Sequence, residues 1–179
     1  MKTSVTTATR AAVQNILGLC ILMFVSFSCL HAQEMPPHPV QSSISVYVDP
    51  SQGLAFGAFY QIGTGGTVTV DAGGSRTSSG NVILANLGYS YSPVLFQVTA
   101  SYGTTIQILN GPDVLLSGSN GGSMNLHLGR SDVGSPFTTR TTPPARTQVR
   151  IGGTLTIGSS VSNPPGTYNG TFNVTFIQQ

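Results

Sequence analysis

The chain contains few charged residues: Asp, Glu, Lys and Arg make up 7% of its 179 residues, against about 25% in ordinary soluble domains. Two of its seven basic residues, Lys2 and Arg10, lie at the extreme N-terminus. The rest of the chain carries five Arg, five acidic residues and no Lys, so it is close to neutral. A nucleic-acid-binding protein needs a basic stripe to neutralise phosphates. The composition therefore argues against a nucleic-acid partner.

Cysteine is also scarce, because the two present, Cys20 and Cys29, both fall in the N-terminal segment. This excludes a small domain held together by disulfides. A hydrophobic content of 39% argues against a disordered chain. The scarcity of Ala, Glu, Lys and Leu argues against a helical bundle. A β-rich domain remains.

The N-terminus has the pattern of an export signal. Lys2 and Arg10 precede an apolar run at residues 16–30, which is shorter than the roughly 20 residues that span a membrane. We predict a signal helix over residues 1–32 that is cleaved after Ala32, so the chain contacts a membrane only during export. The expected location is the periplasm, the cell surface or the medium. Lipid attachment at Cys29 is the alternative to simple cleavage.

Residues 33–41 contain three prolines and predict an extended leader. From residue 42 to 179, short runs of alternating apolar and polar residues are separated by Gly, Asn and Pro clusters. This pattern predicts a single all-β domain of about nine or ten antiparallel strands in two sheets packed face to face. Gly152 and Gly153 predict a bulge inside one strand. Residues 129–144 predict an exposed loop, and residues 168–176 predict one continuous closing strand.

The residues that carry catalytic or metal chemistry are scattered along the chain. His127 has no second histidine near it, and the five acidic residues stand apart from one another, mostly at turns. The glycines at 63–66 are followed by neither a Lys nor a helix, so they do not form a phosphate loop. No G-x-S-x-G elbow is present. We therefore expect no catalytic residue, no cofactor and no metal, and we expect that the protein is not an enzyme.

Two groups of residues are candidate partner contacts. Ile44, Val46 and Val48 alternate with polar residues in an uncharged strand. An edge strand without charge is open to pairing with another chain. Tyr89 and Tyr91 could stack on a sugar or another aromatic group, although such residues also cap the edge of a core.

Several segments resemble a known family. They are LAFG at 54–57, GTVTV at 66–70, GNV at 80–82, GGTLTI at 152–157 and GTYNGTFNVTF at 166–176. Together they resemble the bacterial secreted family called domain of unknown function 4402, over residues 44–176. The G-x-Y-x-G-x-F-x-V pattern in the last segment is also similar to the closing strand of pilus subunits and of spore-coat-U-type secreted proteins. The resemblance implies an immunoglobulin-like β-sandwich that is exported, and it carries no catalytic residues.

Two hypotheses about function follow from these observations. The first is a structural or adhesive surface protein, a fimbria-like subunit that pairs edge strands with copies of itself or with other envelope proteins. Pilus subunits use an alternating N-terminal segment as a donor strand, and residues 40–48 have suitable alternation. The alternative is a monomeric extracellular binding module, for example for carbohydrate, that uses the tyrosines.

Overall fold

The computed structural model describes residues 43–179, which form thirteen β-strands and no helix. The all-β prediction is confirmed; the predicted signal and leader lie outside the described residues. Within the described range no helix is long and apolar enough to cross a membrane. The strands are β1 (Ser45–Val48), β2 (Ala55–Phe56), β3 (Ala58–Val70), β4 (Arg76–Ala85), β5 (Tyr91–Ser92), β6 (Val94–Thr99), β7 (Thr105–Asn110), β8 (Val114–Gly118), β9 (Ser123–Ser131), β10 (Phe137–Thr138), β11 (Thr147–Ile157), β12 (Tyr168–Asn169) and β13 (Val174–Gln178).

The strand count exceeds the predicted nine or ten because four strands have only two residues each: β2, β5, β10 and β12. Alternation over two residues is indistinguishable from a loop in the sequence. These short strands exist because distant segments meet them, as β5 meets β2 through the pair Phe56 and Tyr91.

The largest sheet has eight strands, all paired antiparallel, with β11 at its centre. One edge of β11 pairs with β6 over residues 147–151 and with β3 over residues 153–157. Its other edge pairs with β9, which leads to β8 and β12. Beyond β6 lies β1, and beyond β3 lies β4. Two smaller sheets, β10-β7-β13 and β2-β5, complete the domain.

The core is formed by side chains from strands of both the eight-stranded and the three-stranded sheet. Alternate residues of β3, β6, β7 and β11 point inward, and the most deeply buried are Val68, Val70, Val98, Ile106, Val149 and Ile151. The rings of Phe96 in β6 and Phe176 in β13 lie 5.2 Å apart at a 60° tilt, so β6 and β13 are in contact at this point. Burial of these aliphatic and aromatic side chains is the main source of stability.

The β3–β4 hairpin folds back on itself. Arg76 pairs with Val70 near the turn, yet its guanidinium donates to the carbonyls of Phe56 at 3.0 Å and Ala58 at 3.3 Å. Val70 follows Ala58 by twelve positions, so a straight strand would place the two residues about 40 Å apart. The hairpin therefore bends, and the register shift at residues 61–66 marks where it does so.

Two expectations about irregular strands had different outcomes. The register of the β11–β9 pairing does shift at Gly152, as predicted, but the extra residue lies in β9 and not in β11. Ile151 and Gly153 are two residues apart, whereas their partners Ser131 and Leu128 are three apart. The single closing strand is wrong: β12 pairs with β8 in the large sheet, and β13 pairs with β7 in the three-stranded sheet. Alternation reports which side of a strand faces the core, whereas the pairing partner is decided by distant segments.

The expectation of an exposed loop over residues 129–144 is wrong in part. Strand β9 continues to Ser131, and β10 follows within the same stretch. Phe137 is buried in the core, and Thr139 is 1% exposed. The Thr139 hydroxyl donates to the Ser101 carbonyl at 2.6 Å, so a polar side chain is accommodated inside the fold.

Candidate functional site

Strand β1 is the outermost strand on its side of the large sheet and pairs, within residues 43–179, only with β6. The side of this segment that faces the core carries the predicted contact residues Ile44, Val46 and Val48. Ile44 packs against the core, whereas Val46 and Val48 remain 39% and 46% exposed although their partners in β6 are buried. These two valines face the core at a margin that no other strand of the described residues covers.

Strand β13 is the equivalent margin of the three-stranded sheet, since its one partner among the described strands is β7. Val174 and Phe176 point inward and are only half-buried, while Ile177 is 38% exposed on the other face. Phe96 connects the two margins: its backbone pairs with Val48 in β1, and its ring packs on Phe176 in β13. The two uncovered strands therefore lie on either side of one buried ring.

The two predicted tyrosines have different surroundings. Tyr91 lies in β5, and the Arg76 guanidinium covers one face of its ring at 4.3 Å from the centroid. Tyr89 is 71% exposed and lines a cleft. Of the two, Tyr89 is thus the residue whose position suits ligand contact.

The cleft has a volume of about 600 Å³ and lies between the β2–β3 segment and the chain around β12. Its floor consists of four apolar side chains from β8, β9 and β11: Leu116, Met124, Leu155 and Ile157. Every residue of 54–61 lines one wall, and every residue of 163–169 lines the opposite wall. Consecutive side chains of an extended strand point to opposite faces, so lining by consecutive residues indicates that each wall presents its backbone edge. This site was not predicted from the sequence, because its walls come from segments about a hundred residues apart.

The wall formed by residues 163–169 is held by hydrogen bonds. Asn163 is 3% exposed; its side-chain oxygen accepts from the Gly158 N–H, and its NH₂ group donates to the Ser123 carbonyl. The Tyr168 hydroxyl donates to the Pro164 carbonyl at 2.7 Å. Because the buried amide is fully bonded, this wall is preorganised.

Gln61 joins the two walls of the cleft. Its Nε2 donates to the Asn163 carbonyl at 3.0 Å. Its Oε1 is buried and, among the described residues, has no hydrogen-bond partner. The amide orientation is settled by the Asn163 contact, since a carbonyl accepts and only the NH₂ group can donate. A buried acceptor without a donor costs about 1–3 kcal/mol.

A hydrogen-bonded pair formed by Asp113 and His127 lies on the outer face of the large sheet. The His127 Nδ1–H donates to Asp113 Oδ1 at 2.7 Å, and Asn125 donates to the other carboxylate oxygen at 3.0 Å. These bonds, first from His127 and then from Asn125, hold the pKa of the Asp113 carboxyl below its ordinary value of 3.8. This pair was not predicted from the sequence, because Asp113 and His127 are fourteen residues apart and meet only through strand pairing. Within residues 43–179 no three His, Cys, Asp or Glu side chains gather into a metal site.

Comparison with known proteins identifies a family. The model of the family described as Domain of unknown function (DUF4402) matches residues 46–177, from β1 to β13. No curated protein and no solved structure matches the chain.

Proposed function

This chain belongs to the DUF4402 family, and we propose that it is an exported structural or adhesive protein of the cell envelope, a fimbria-like subunit whose copies associate through edge strands. The proposed export rests on the basic start and the apolar run at residues 16–30. The proposed fold is an immunoglobulin-like sandwich of the eight-stranded and three-stranded sheets. The contact between Phe96 and Phe176 supports this packing.

The observation that carries the proposal is the pair of uncovered strands, β1 and β13. Natural proteins protect sheet edges with charge, proline, bulges or a covering segment. Neither β1 nor β13 contains a charged residue or a proline. Val46 and Val48 at one margin, and Val174 and Phe176 at the other, face the core without full cover. A strand added beside either margin would bury these side chains and satisfy the backbone groups of the edge.

The two margins also determine what kind of assembly would form. If β1 of one copy pairs with β13 of the next, the contact is head-to-tail, and repetition without closure gives an open filament. If β1 pairs with β1, the contact is symmetric and stops at a dimer. We propose the head-to-tail contact, because the uncovered apolar strands, β1 and β13, are two different strands that belong to different sheets.

Light scattering after size-exclusion chromatography tests this proposal on protein that begins at Gln33. We expect oligomers that grow with protein concentration. The Thr175→Lys variant places a charge on the exposed face of β13, so it should shift the protein to monomer. Thr156→Lys is the matched control: Thr156 is also exposed, but it lies in β11, where both edges are paired. Circular dichroism must show that both variants stay folded.

Two results would contradict the proposal. One is a wild-type protein that stays monomeric at the highest soluble concentration. The other is equal dissociation by Thr175→Lys and Thr156→Lys, because a general effect of charge would then replace the role of the edge.

A further inference from the structure

We infer that the cleft between the β2–β3 segment and the chain around β12 is a docking site for an extended, uncharged segment of another protein, which adds as a strand to the free edge of β3. The inference concerns a different part of the molecule from β1 and β13. It does not depend on self-association, and it can hold for a monomer.

Part of β3 has an edge that no other described strand covers. Residues 58–61 pair on one edge with residues 82–85 of β4. The other edge of β3 is covered by β11 only from Gly66 to Val70, so in the described part of the chain residues 58–61 have no strand on that side. Because the hairpin bends, this part of β3 leaves β11 and opens the cleft. An extended peptide is the ligand that satisfies a row of backbone donors and acceptors.

The opposite wall offers a second extended segment. Strand β12 pairs with β8 through Tyr168 and Asn169, and residues 163–169 line the cleft without interruption. The hydrogen bonds of Asn163 and Tyr168 hold this wall in place. A rigid slot lowers the entropic cost of binding an extended segment.

The lining specifies the chemistry of the segment. None of the residues that line the cleft carries a charge. A charged side chain would lose its hydration there without gaining a partner, which is strongly unfavourable. The apolar floor accepts aliphatic side chains, and alternate positions of an added strand point toward it. Tyr60 and Tyr89 are 53% and 71% exposed and line the cleft, where they can pack on the segment as it leaves.

The buried side-chain oxygen of Gln61 favours a bound segment that has free N–H donors. Among the described residues its buried Oε1 has no donor, and its Nε2 bonds the Asn163 carbonyl on the far wall. A segment that enters between the walls brings N–H donors to this position. Rotation of the Gln61 amide toward the segment would then give the oxygen its missing hydrogen bond.

The test uses a capped eight-residue peptide of alternating valine and threonine, added to isotopically labelled protein that carries Thr175→Lys so that self-association does not interfere. We expect NMR shift changes concentrated at residues 58–61 and 163–169, and cross-strand contacts between the peptide and β3. The same peptide with alternate amides N-methylated keeps its apolar side chains but loses the hydrogen bonds of one edge. Its binding should be at least tenfold weaker. Replacing the threonines by lysine should weaken binding by a similar factor.

Two protein variants locate the site. Ser160 is exposed and lines the cleft, so Ser160→Trp fills the entrance and should abolish binding. Val161, its neighbour, is 88% exposed and does not line the cleft. Val161→Trp therefore adds the same side chain beside the site and should leave binding unchanged.

Three outcomes would overturn the inference. Equal binding of the N-methylated peptide would show an apolar site rather than strand addition. Shift changes at β1 instead of β3 would assign the peptide to the exposed sheet margin. Unchanged binding to Ser160→Trp would place the site elsewhere on the surface.

Discussion

The guanidinium of Arg76 lies over the ring of Tyr91 at 4.3 Å from its centroid, and it simultaneously bonds the carbonyls of Phe56 and Ala58. Arg76 belongs to β4, whereas Phe56 and Tyr91 form the short β2–β5 pair. One side chain therefore holds the folded-back end of the β3–β4 hairpin against β5. Because residues 54–61 form a wall of the cleft, Arg76 also positions that wall.

Replacing Arg76 should therefore loosen the hairpin. We expect Arg76→Ala to lower the free energy of unfolding by about 2 kcal/mol, since hydrogen bonds to a charged donor contribute about 1.5–3 kcal/mol. Arg76→Lys should recover part of this loss, because a lysine keeps the charge but not the planar fork. Urea denaturation measures both values. Arg146→Ala is the control: Arg146 is exposed, and its two contacts, a hydrogen bond to Gln97 and a position over the exposed ring of Tyr47 at 5.3 Å, lie at the surface, so we expect a change within about 0.5 kcal/mol. Equal effects at the two arginines would contradict the role given to Arg76.

Removal of the Asn163 amide should release the second wall of the cleft. Asn163→Ala leaves the Gly158 N–H and the Ser123 carbonyl without their buried partner. We expect a loss of about 2–4 kcal/mol in unfolding free energy and faster hydrogen exchange at residues 158–169. Asn169→Ala, at an exposed position in β12, should change both measurements little. Unchanged exchange in Asn163→Ala would show that the wall is held by other contacts.

The pKa of Asp113 should depend on His127. Since hydrogen bonds lower the pKa of the folded carboxyl below 3.8, the ionised Asp113 carboxylate favours the folded state above that pH. This contribution is lost as the pH falls through the lowered pKa. Carboxyl-carbon NMR titration should show the pKa of Asp113 rising toward its ordinary value in His127→Ala, and rising less in Asn125→Ala, because the His127 bond is the larger cause. A larger rise in Asn125→Ala would reverse this order of causes.

Strand β11 should tolerate no side chain at Gly152, where its register with β9 shifts. A Cβ there would lie 2.1 Å from the Val70 carbonyl oxygen, which is backbone and cannot rotate away. We expect Gly152→Ala to cost about 2–3 kcal/mol by forcing β3 and β11 apart. Gly53 is the matched control, because a Cβ at Gly53 meets no atom within 4 Å. Thermal unfolding of the two variants should therefore differ by several degrees; equal melting temperatures would show that β3 and β11 relax at no cost.

The class of fold was predictable because strand alternation is a local property. Val68 and Val70 alternate with threonines, and this period of two indicates a strand with one buried face. An irregularity at Gly152 was also predictable, since glycine inside a strand pattern is a local signal, but the sequence did not show that the extra residue lies in the partner strand β9. The family resemblance, carried by the same short segments, is confirmed by the match over residues 46–177.

The candidate sites were less accessible to sequence reasoning. Val46 and Val48 were identified as contact residues, and the structure places them at an uncovered margin, but the matching margin at β13 was hidden within one apparent closing strand. The cleft was not predicted at all, because it depends on where the hairpin bends and on which segment faces it.

The sequence by itself determined that the described chain forms strands, which residues of each strand face inward, and that charge is nearly absent from its surface. Only the tertiary structure decided that β12 and β13 join different sheets, that Arg76 reaches Phe56 across a folded hairpin, and that Asp113 meets His127. The physical reason is the range of the interactions. Side-chain alternation follows from the geometry of two neighbouring residues, whereas strand pairing is a competition among all segments for backbone partners and buried area.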